Sequence, residues 1–243
     1  MQNKVLAIIW DYDGTLVDSR KRNLNVTRKI IREILGKDAQ NFPVLKTLEN
    51  YYSAHTKAIN WREFYKSSFG LNEQQIDEAG RMWTECQLED NSSTPIIKGV
   101  EEIIIELSNL PQGIVSQNSK SQIIRSLKQR NILSYFKSII GYEEVDLKSQ
   151  KPDPEGLLLC LEILTDLKPG LVFYIGDHET DVLCVLNANN ILKEKKTGIK
   201  IICIGALYSY SADTSAWRSR PDYEVRDTGN ILSIIRGFNH QNK

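Results

Sequence analysis

Four carboxylates stand at two places where short apolar runs of the chain end. Val5-Leu-Ala-Ile-Ile-Trp10 is followed by Asp11-Tyr-Asp-Gly-Thr15, and the run 171–175 by Gly176-Asp-His-Glu-Thr-Asp181. Residues two apart in an extended segment point to the same side, so Asp11 and Asp13 can face one site. If a helix opens after Gly176, Asp177 and Asp181 lie four apart on one of its faces. Four acids converging on one edge repel one another unless a hard divalent cation neutralises them, and Mg2+ takes oxygen ligands of this type. Each pair also has a plainer reading. Asp13-Gly14 is a hairpin-turn signal, and two acids near a helix start complement its dipole. The hairpin reading calls for a strand next, whereas a helical pattern follows.

Two further segments could meet an anion. After the apolar run 113–116, Ser116-Gln-Asn-Ser119 leads into a helical pattern. Backbone N–H groups at such a turn suit an anion, and the Ser116 hydroxyl adds a donor. Helix capping by Asn118 or Ser119 accounts for the same residues without any ligand. Lys151-Pro-Asp-Pro154 precedes an apolar helix. Asp153 as N-cap and Pro154 at the first helical position explain most of it. They leave unexplained a lysine held outside the helix, in the extended conformation that Pro152 favours.

The elements that must carry these residues are short β-rich runs at 5–10, 113–116, 171–175 and 199–204, separated by helical periodicity. Val172-Phe-Tyr-Ile175 is apolar at consecutive positions, as expected for a strand covered on both faces. Ile103, Leu107 and Leu110 fit one helix face, as do Ile123, Ile124 and Leu127, and Leu157, Leu158, Leu161 and Leu164. Strands alternating with helices indicate an α/β fold, a doubly wound, Rossmann-like parallel sheet. In such sheets ligands bind beyond the carboxyl ends of the strands, where the residues above stand.

Residues 19–95 break this rhythm. They carry helical patterns only: Val26, Ile30, Ile34; Phe42, Leu45, Leu48; Trp61, Phe64, Tyr65; and Ile76, Ala79, Met82, Trp83. The segment leaves through Asn91-Ser-Ser-Thr-Pro95, a linker composition. We read a catalytic core of residues 1–18 plus 96–243, with a helical domain of residues 19–95 inserted after the first strand. Lys193-Glu-Lys-Lys196 reads as a solvated helix end stopped by Gly198.

Composition narrows the function classes. Lys+Arg and Asp+Glu both number 31, so the basic excess on which nucleic-acid affinity depends is missing. No apolar run reaches membrane length. Cys86, Cys160, Cys184 and Cys203 are far apart, with no Cys-x-x-Cys pair, which points to buried free thiols in a reducing, cytoplasmic setting.

Taken together and in order, Asp11-Tyr-Asp-Gly-Thr-Leu16, Ser116, Lys151 and Gly176-Asp-x-x-x-Asp181 resemble the four motifs of the haloacid dehalogenase-like hydrolase superfamily. The helical insert resembles that family's C1-type cap. Lys151-Pro-Asp-Pro and Arg220-Pro-Asp222 are similar to the phosphoglycolate phosphatase-like branch. The resemblance implies a Mg2+-dependent phosphatase acting on a small phosphorylated metabolite. It implies Asp11 as nucleophile and Asp13 as acid and base. Ser116, Lys151 and the backbone of Gln117 would hold the phosphoryl group. Mg2+ would be held by Asp11, the backbone carbonyl of Asp13, and Asp177, with Asp181 acting directly or through water. The acid at Asp13 favours phosphate over halide chemistry, because a halide leaves without protonation.

Two other roles share these motifs: a sugar phosphomutase, and a catalytically idle member that binds a phosphorylated ligand or partner. Oligomeric state is not legible. His55, Lys57, Arg62 and Lys66 are candidate substrate contacts on the insert, and His178 is a rim or structural residue. Trp61, Phe64 and Tyr65 read as the insert's own core, and the stretch 208–215 as a loop near the site or plain surface.

Overall fold

The computed structural model describes residues 4–58, 60–209 and 214–240. The chain divides into two compact units, Met1–Asp18 with Ile96–Lys243, and Ser19–Pro95. In chain order the regular elements are β1 (Val5–Trp10), α1 (Arg20–Leu35), α2 (Leu48–His55), α3 (Trp61–Phe69), α4 (Glu73–Glu89), α5 (Val100–Glu106), β2 (Gln112–Val115), α6 (Lys120–Gln129) and β3 (Phe136–Ile140). They continue with α7 (Glu155–Thr165), β4 (Gly170–Gly176), α8 (Glu179–Glu194), β5 (Ile199–Ala206), β6 (Tyr223–Val225) and α9 (Gly229–His240).

The six strands form one parallel sheet in the order β3-β2-β1-β4-β5-β6. Successive side chains of a strand face opposite ways, so a central strand feeds two cores. Ile8 and Trp10 of β1 pack with residues of α5, α6 and α9, whereas Ala7 and Ile9 pack with α7 and α8. This is the doubly wound α/β arrangement expected from the alternation of strands and helices. From β1 the chain builds outward through β2 to β3, and from β4 outward through β5 to β6. The strand order therefore reverses between β1 and β4, and the crevice beyond their carboxyl ends is the natural binding place.

Two strands and a helix lie outside the sequence expectation. Strands β3 and β6 are the sheet edges, and Phe-Lys-Ser-Ile-Ile and Tyr-Glu-Val carry polar positions that dilute a strand signal. Among the described side chains of helix α9, Ile231 and Ile235 are the fully buried ones. The Asp13-Gly14 turn does not open a hairpin; the next regular element is α1.

Three local expectations are corrected. The periodicity over Phe42, Leu45 and Leu48 is not one helix: two 3-10 turns precede α2, with Pro43 interrupting the amide ladder. Helix α7 starts one residue later than expected. Pro154 is its N-cap, and the Asp153 carboxylate accepts from Glu155 N at 3.0 Å. Lys151 lies in a turn rather than an extended segment, and the Lys151–Pro152 peptide is cis.

The unit Ser19–Pro95 is helical. Its core gathers Ile30, Ile31, Tyr51, Phe64, Tyr65, Phe69 and Ile76, with Trp61 and Trp83 partly buried against it. Asn60 and Asn72 start α3 and α4 by accepting the amides of Glu63 and Gln75. Among the described residues no helix is long and apolar enough to cross a membrane. All four cysteines are buried and free.

Candidate active site

Strand register brings the chemistry together. Trp10 pairs with Ile114 on one side and Ile175 on the other, so the residues following three adjacent strands converge. Asp11 is fixed at the end of β1, its N–H donating to Ile175 O at 2.7 Å. Across the reversal point stand Asp177 and Asp181, and on the β2 side Ser116 and Asn118. Two glycines allow the close approach. Gly14 has φ +78°, and a Cβ there would stand 2.1 Å from Asp177 Oδ2; one at Gly176 would stand 2.5 Å from Asp181 Cγ.

Oxygens of Asp11, Asp177 and Asp181 lie within 4.8 Å of one another. Into this group reaches the buried Lys151. Its ammonium donates to Asp11 Oδ1 at 2.6 Å, Asp181 Oδ1 at 2.6 Å and the Tyr174 hydroxyl at 3.1 Å. The hydroxyl of Tyr174 donates in turn to Asp181 Oδ1 at 2.8 Å, and Asp181 Oδ2 accepts from His178 N at 3.1 Å.

The electrostatics follow from this crowding. Burial raises the Asp11 carboxyl to about 7, with Lys151 opposing the rise and the charges of Asp181 and Asp13 adding to it. Asp177 is pushed up in the same way, by its low-dielectric surroundings and then by repulsion from Asp11 and Asp181. Burial alone would lower the ammonium of Lys151, yet Asp11 and Asp181 hold it above its usual range. One lysine leaves three clustered carboxylates undercompensated. The all-oxygen donor set and its unrelieved repulsion fit a hard divalent cation.

The carboxylate of Asp13 sits outside that cluster. Asn118 Nδ2 donates to both its oxygens, at 2.8 and 3.1 Å. Asn118 also shapes the turn after β2, its N–H donating to Ser116 Oγ at 3.0 Å and its Oδ1 accepting from Ser119 N at 2.7 Å. The Gln117 side chain crosses to the neighbouring loop and donates to Lys151 O at 2.9 Å. It is therefore tied to the loop that presents the lysine.

Other sequence candidates find structural partners. His178 is the N-cap of α8, accepting from Thr180 N at 3.2 Å. Within the helical unit, Arg62 pairs with Glu73 and Asp77, Lys66 with Glu73, and His55 packs against the rings of Tyr51 and Phe64. Lys57 is exposed. Of the stretch 208–215, residues 210–213 lie outside the described residues. Tyr208 donates to Thr15 O at 2.9 Å and Ser209 to Gly14 O, so the start of that stretch braces the loop after β1. Asp222 accepts from Cys203 N at 2.7 Å and serves the edge of β5.

Comparison with known proteins shows the family. The sequence profile of the haloacid dehalogenase-like hydrolases matches residues 8–191. The chain belongs to this family. It is 23% identical over 245 residues to the pyrophosphatase PpaX of Listeria monocytogenes, covering 97% of this chain and 99% of that one. It is 26% identical over 245 residues to a phosphoglycolate phosphatase of Photorhabdus laumondii, with 97% and 96% covered. A solved structure from Lactobacillus plantarum, described provisionally as a phosphoglycolate phosphatase, superposes with TM-score 0.73 at 18% identity, over 94% of this chain and 98% of that one. That last likeness concerns the fold.

For a haloacid dehalogenase-like hydrolase, the strand-end acids, Ser116 and Lys151 could all be read along the chain. Tyr174 and the link from Asn118 to Asp13 could not. Tyr174 carries the hydroxyl in an otherwise aliphatic or aromatic run, and a buried hydroxyl needs a partner; that was its signal. Asn118 was visible only as a helix cap, because its partner Asp13 is 105 positions away.

Proposed function

We propose that this hydrolase is a Mg2+-dependent phosphatase that acts on a small phosphate ester through an aspartyl-phosphate at Asp11. The observation that carries the reading is the buried Asp11 carboxylate, shared between Lys151 and a cluster of further acids at the strand-order reversal. The names of the two curated relatives, a pyrophosphatase and a phosphoglycolate phosphatase, support a phosphate substrate.

In this reading Asp11, Asp177 and the backbone carbonyl of Asp13 hold Mg2+, with Asp181 direct or through water. When bound, the ion neutralises developing charge on the phosphoryl oxygens. A carboxylate oxygen of Asp11 attacks phosphorus as the bond to the leaving oxygen breaks, and Asp13 gives that oxygen its proton. Asp13 then takes a proton from the water that cleaves the Asp11–phosphorus bond. Ser116 and the Gln117 amide bind phosphoryl oxygens. Lys151 already donates to Asp11, Asp181 and Tyr174, so the arriving phosphoryl group exchanges with one of these for an N–H. The helical unit 19–95 is the family's cap in this reading and selects among leaving groups.

The test is phosphate release from phosphoglycolate, inorganic pyrophosphate, sugar phosphates and nucleoside monophosphates, with Mg2+ and with a chelator. Metal-dependent release from a few of them is expected. No release from any by a folded, Mg2+-binding protein would overturn the proposal.

A further inference from the structure

We propose that Asn118 is a positioning residue for the two proton transfers assigned to Asp13, so that it governs how well unactivated leaving groups are expelled. The inference rests on the phosphatase reading and adds to it a residue outside the four motifs.

The geometry is specific. Asn118 is 3% exposed, and each part of it is committed. Its main-chain N–H holds Ser116 Oγ, its Oδ1 takes the amide of Ser119, and its main-chain oxygen accepts from Tyr142 N at 3.1 Å. These bonds fix the amide plane on the turn between β2 and α6. The remaining group, Nδ2, is aimed at Asp13 and spans both carboxylate oxygens at 2.8 and 3.1 Å. Strand register explains the meeting: with Trp10 opposite Ile114, Asp13 is three residues beyond one strand position and Asn118 four beyond its neighbour.

A donor spanning both oxygens suits a group that must act first as acid and then as base. When one oxygen of Asp13 carries the proton, the amide keeps the other. In the first step that proton goes to the leaving oxygen as its bond to phosphorus breaks and the Asp11–phosphorus bond forms. In the second, the carboxylate takes a proton from water as the water oxygen bonds to phosphorus and the Asp11–phosphorus bond breaks. Through both steps the carboxyl plane stays anchored to the turn that carries Ser116. The side chain holding the acid and the hydroxyl assigned to the phosphoryl group are thus placed by one residue.

Proton donation matters most when the leaving group is a poor one. The experiment therefore measures kcat/KM of the full chain with Mg2+ on ring-substituted phenyl phosphates, from phenyl to 4-nitrophenyl. These differ in leaving-group acidity while keeping nearly one shape. Asn118→Asp retains an acceptor for Ser119 N and loses the donor to Asp13; Asn118→Ala removes the side chain's bonds and serves if the first variant does not fold. The wild type should show a shallow dependence on leaving-group acidity. The variants should lose about 100-fold on phenyl phosphate and less than about 10-fold on 4-nitrophenyl phosphate, within the range general acid catalysis supplies. An equal loss along the whole series, as a merely structural role would give, or no loss, overturns the proposal. If the wild type itself releases no phosphate from any ester, the phosphatase reading fails first and this inference with it.

Discussion

Asp11, the proposed nucleophile, lies in an environment that resists its charge. Its carboxyl is raised by burial and by its acidic neighbours, and Lys151 is the main opposing influence. Asp11→Asn keeps the side-chain shape but replaces the nucleophilic carboxylate by a neutral amide. Turnover should fall at least about 10³-fold while the circular dichroism spectrum is unchanged; a variant with near-normal phosphate release would sink the role. Tyr174 is the contrasting case. Its hydroxyl is an acceptor for Lys151 and a donor to Asp181, and all three groups are buried. Tyr174→Phe strips a partner from two buried ions and should cost about 1–3 kcal/mol, read from the urea midpoint. No shift in that midpoint would mean that Lys151 and Asp181 satisfy each other without it.

At the scale of elements, the site depends on how closely loops can approach. Gly14 adopts φ +78°, and a Cβ would collide with the carboxylate of Asp177. Gly14→Ala therefore adds left-handed strain and displaces an assigned ligand. Mg2+ affinity, followed by calorimetric titration with the metal alone, should weaken at least about 10-fold. Unchanged affinity would place the metal away from Asp177. Asn189 of α8 tests packing without chemistry. Its amide donates to Ile201 O at 2.8 Å and accepts from Ile201 N at 2.9 Å, tying the helix to β5. Asn189→Ala should lower unfolding free energy by about 1–2 kcal/mol and leave turnover per folded molecule intact. Position in the sheet explains why the edge strands were hard to read. Strands β3 and β6 lie at the two ends of the sheet, so their apolar signal is diluted where that of β4 is continuous.

For the whole molecule, the governing quantity is net charge at one point rather than over the surface. The chain is formally neutral, yet three acids crowd around one lysine. A bound divalent cation would relieve that repulsion in the folded state alone, because unfolding disperses the acids. Mg2+ should therefore raise the unfolding temperature. The expected stabilisation at 100-fold excess over Kd is about 2.7 kcal/mol. A chelator should abolish both this gain and phosphate release, and excess Mg2+ should restore both. A melting temperature indifferent to Mg2+ would mean that Lys151 alone suffices to hold the acids together.

The chemical inventory was a local property of the chain. Asp11, Asp13, Ser116, Lys151, Asp177 and Asp181 follow apolar runs or precede helices, and those patterns are written in consecutive residues. The α/β class was equally local, because a strand covered on both faces must be apolar at successive positions. Tertiary structure alone decided which groups meet. Lys151 and Asp11 are 140 positions apart, and Asn118 and Asp13 are 105 apart. Their contacts depend on the register of β1 between β2 and β4, which no single segment encodes. Folding also gave side chains partners that composition does not name. Arg62 and Lys66, open candidates by composition, are held by Glu73 and Asp77, whereas Tyr174, to the eye a core residue, ends up between the lysine and an acid. Residue type sets what a side chain can do, and long-range packing sets what stands beside it.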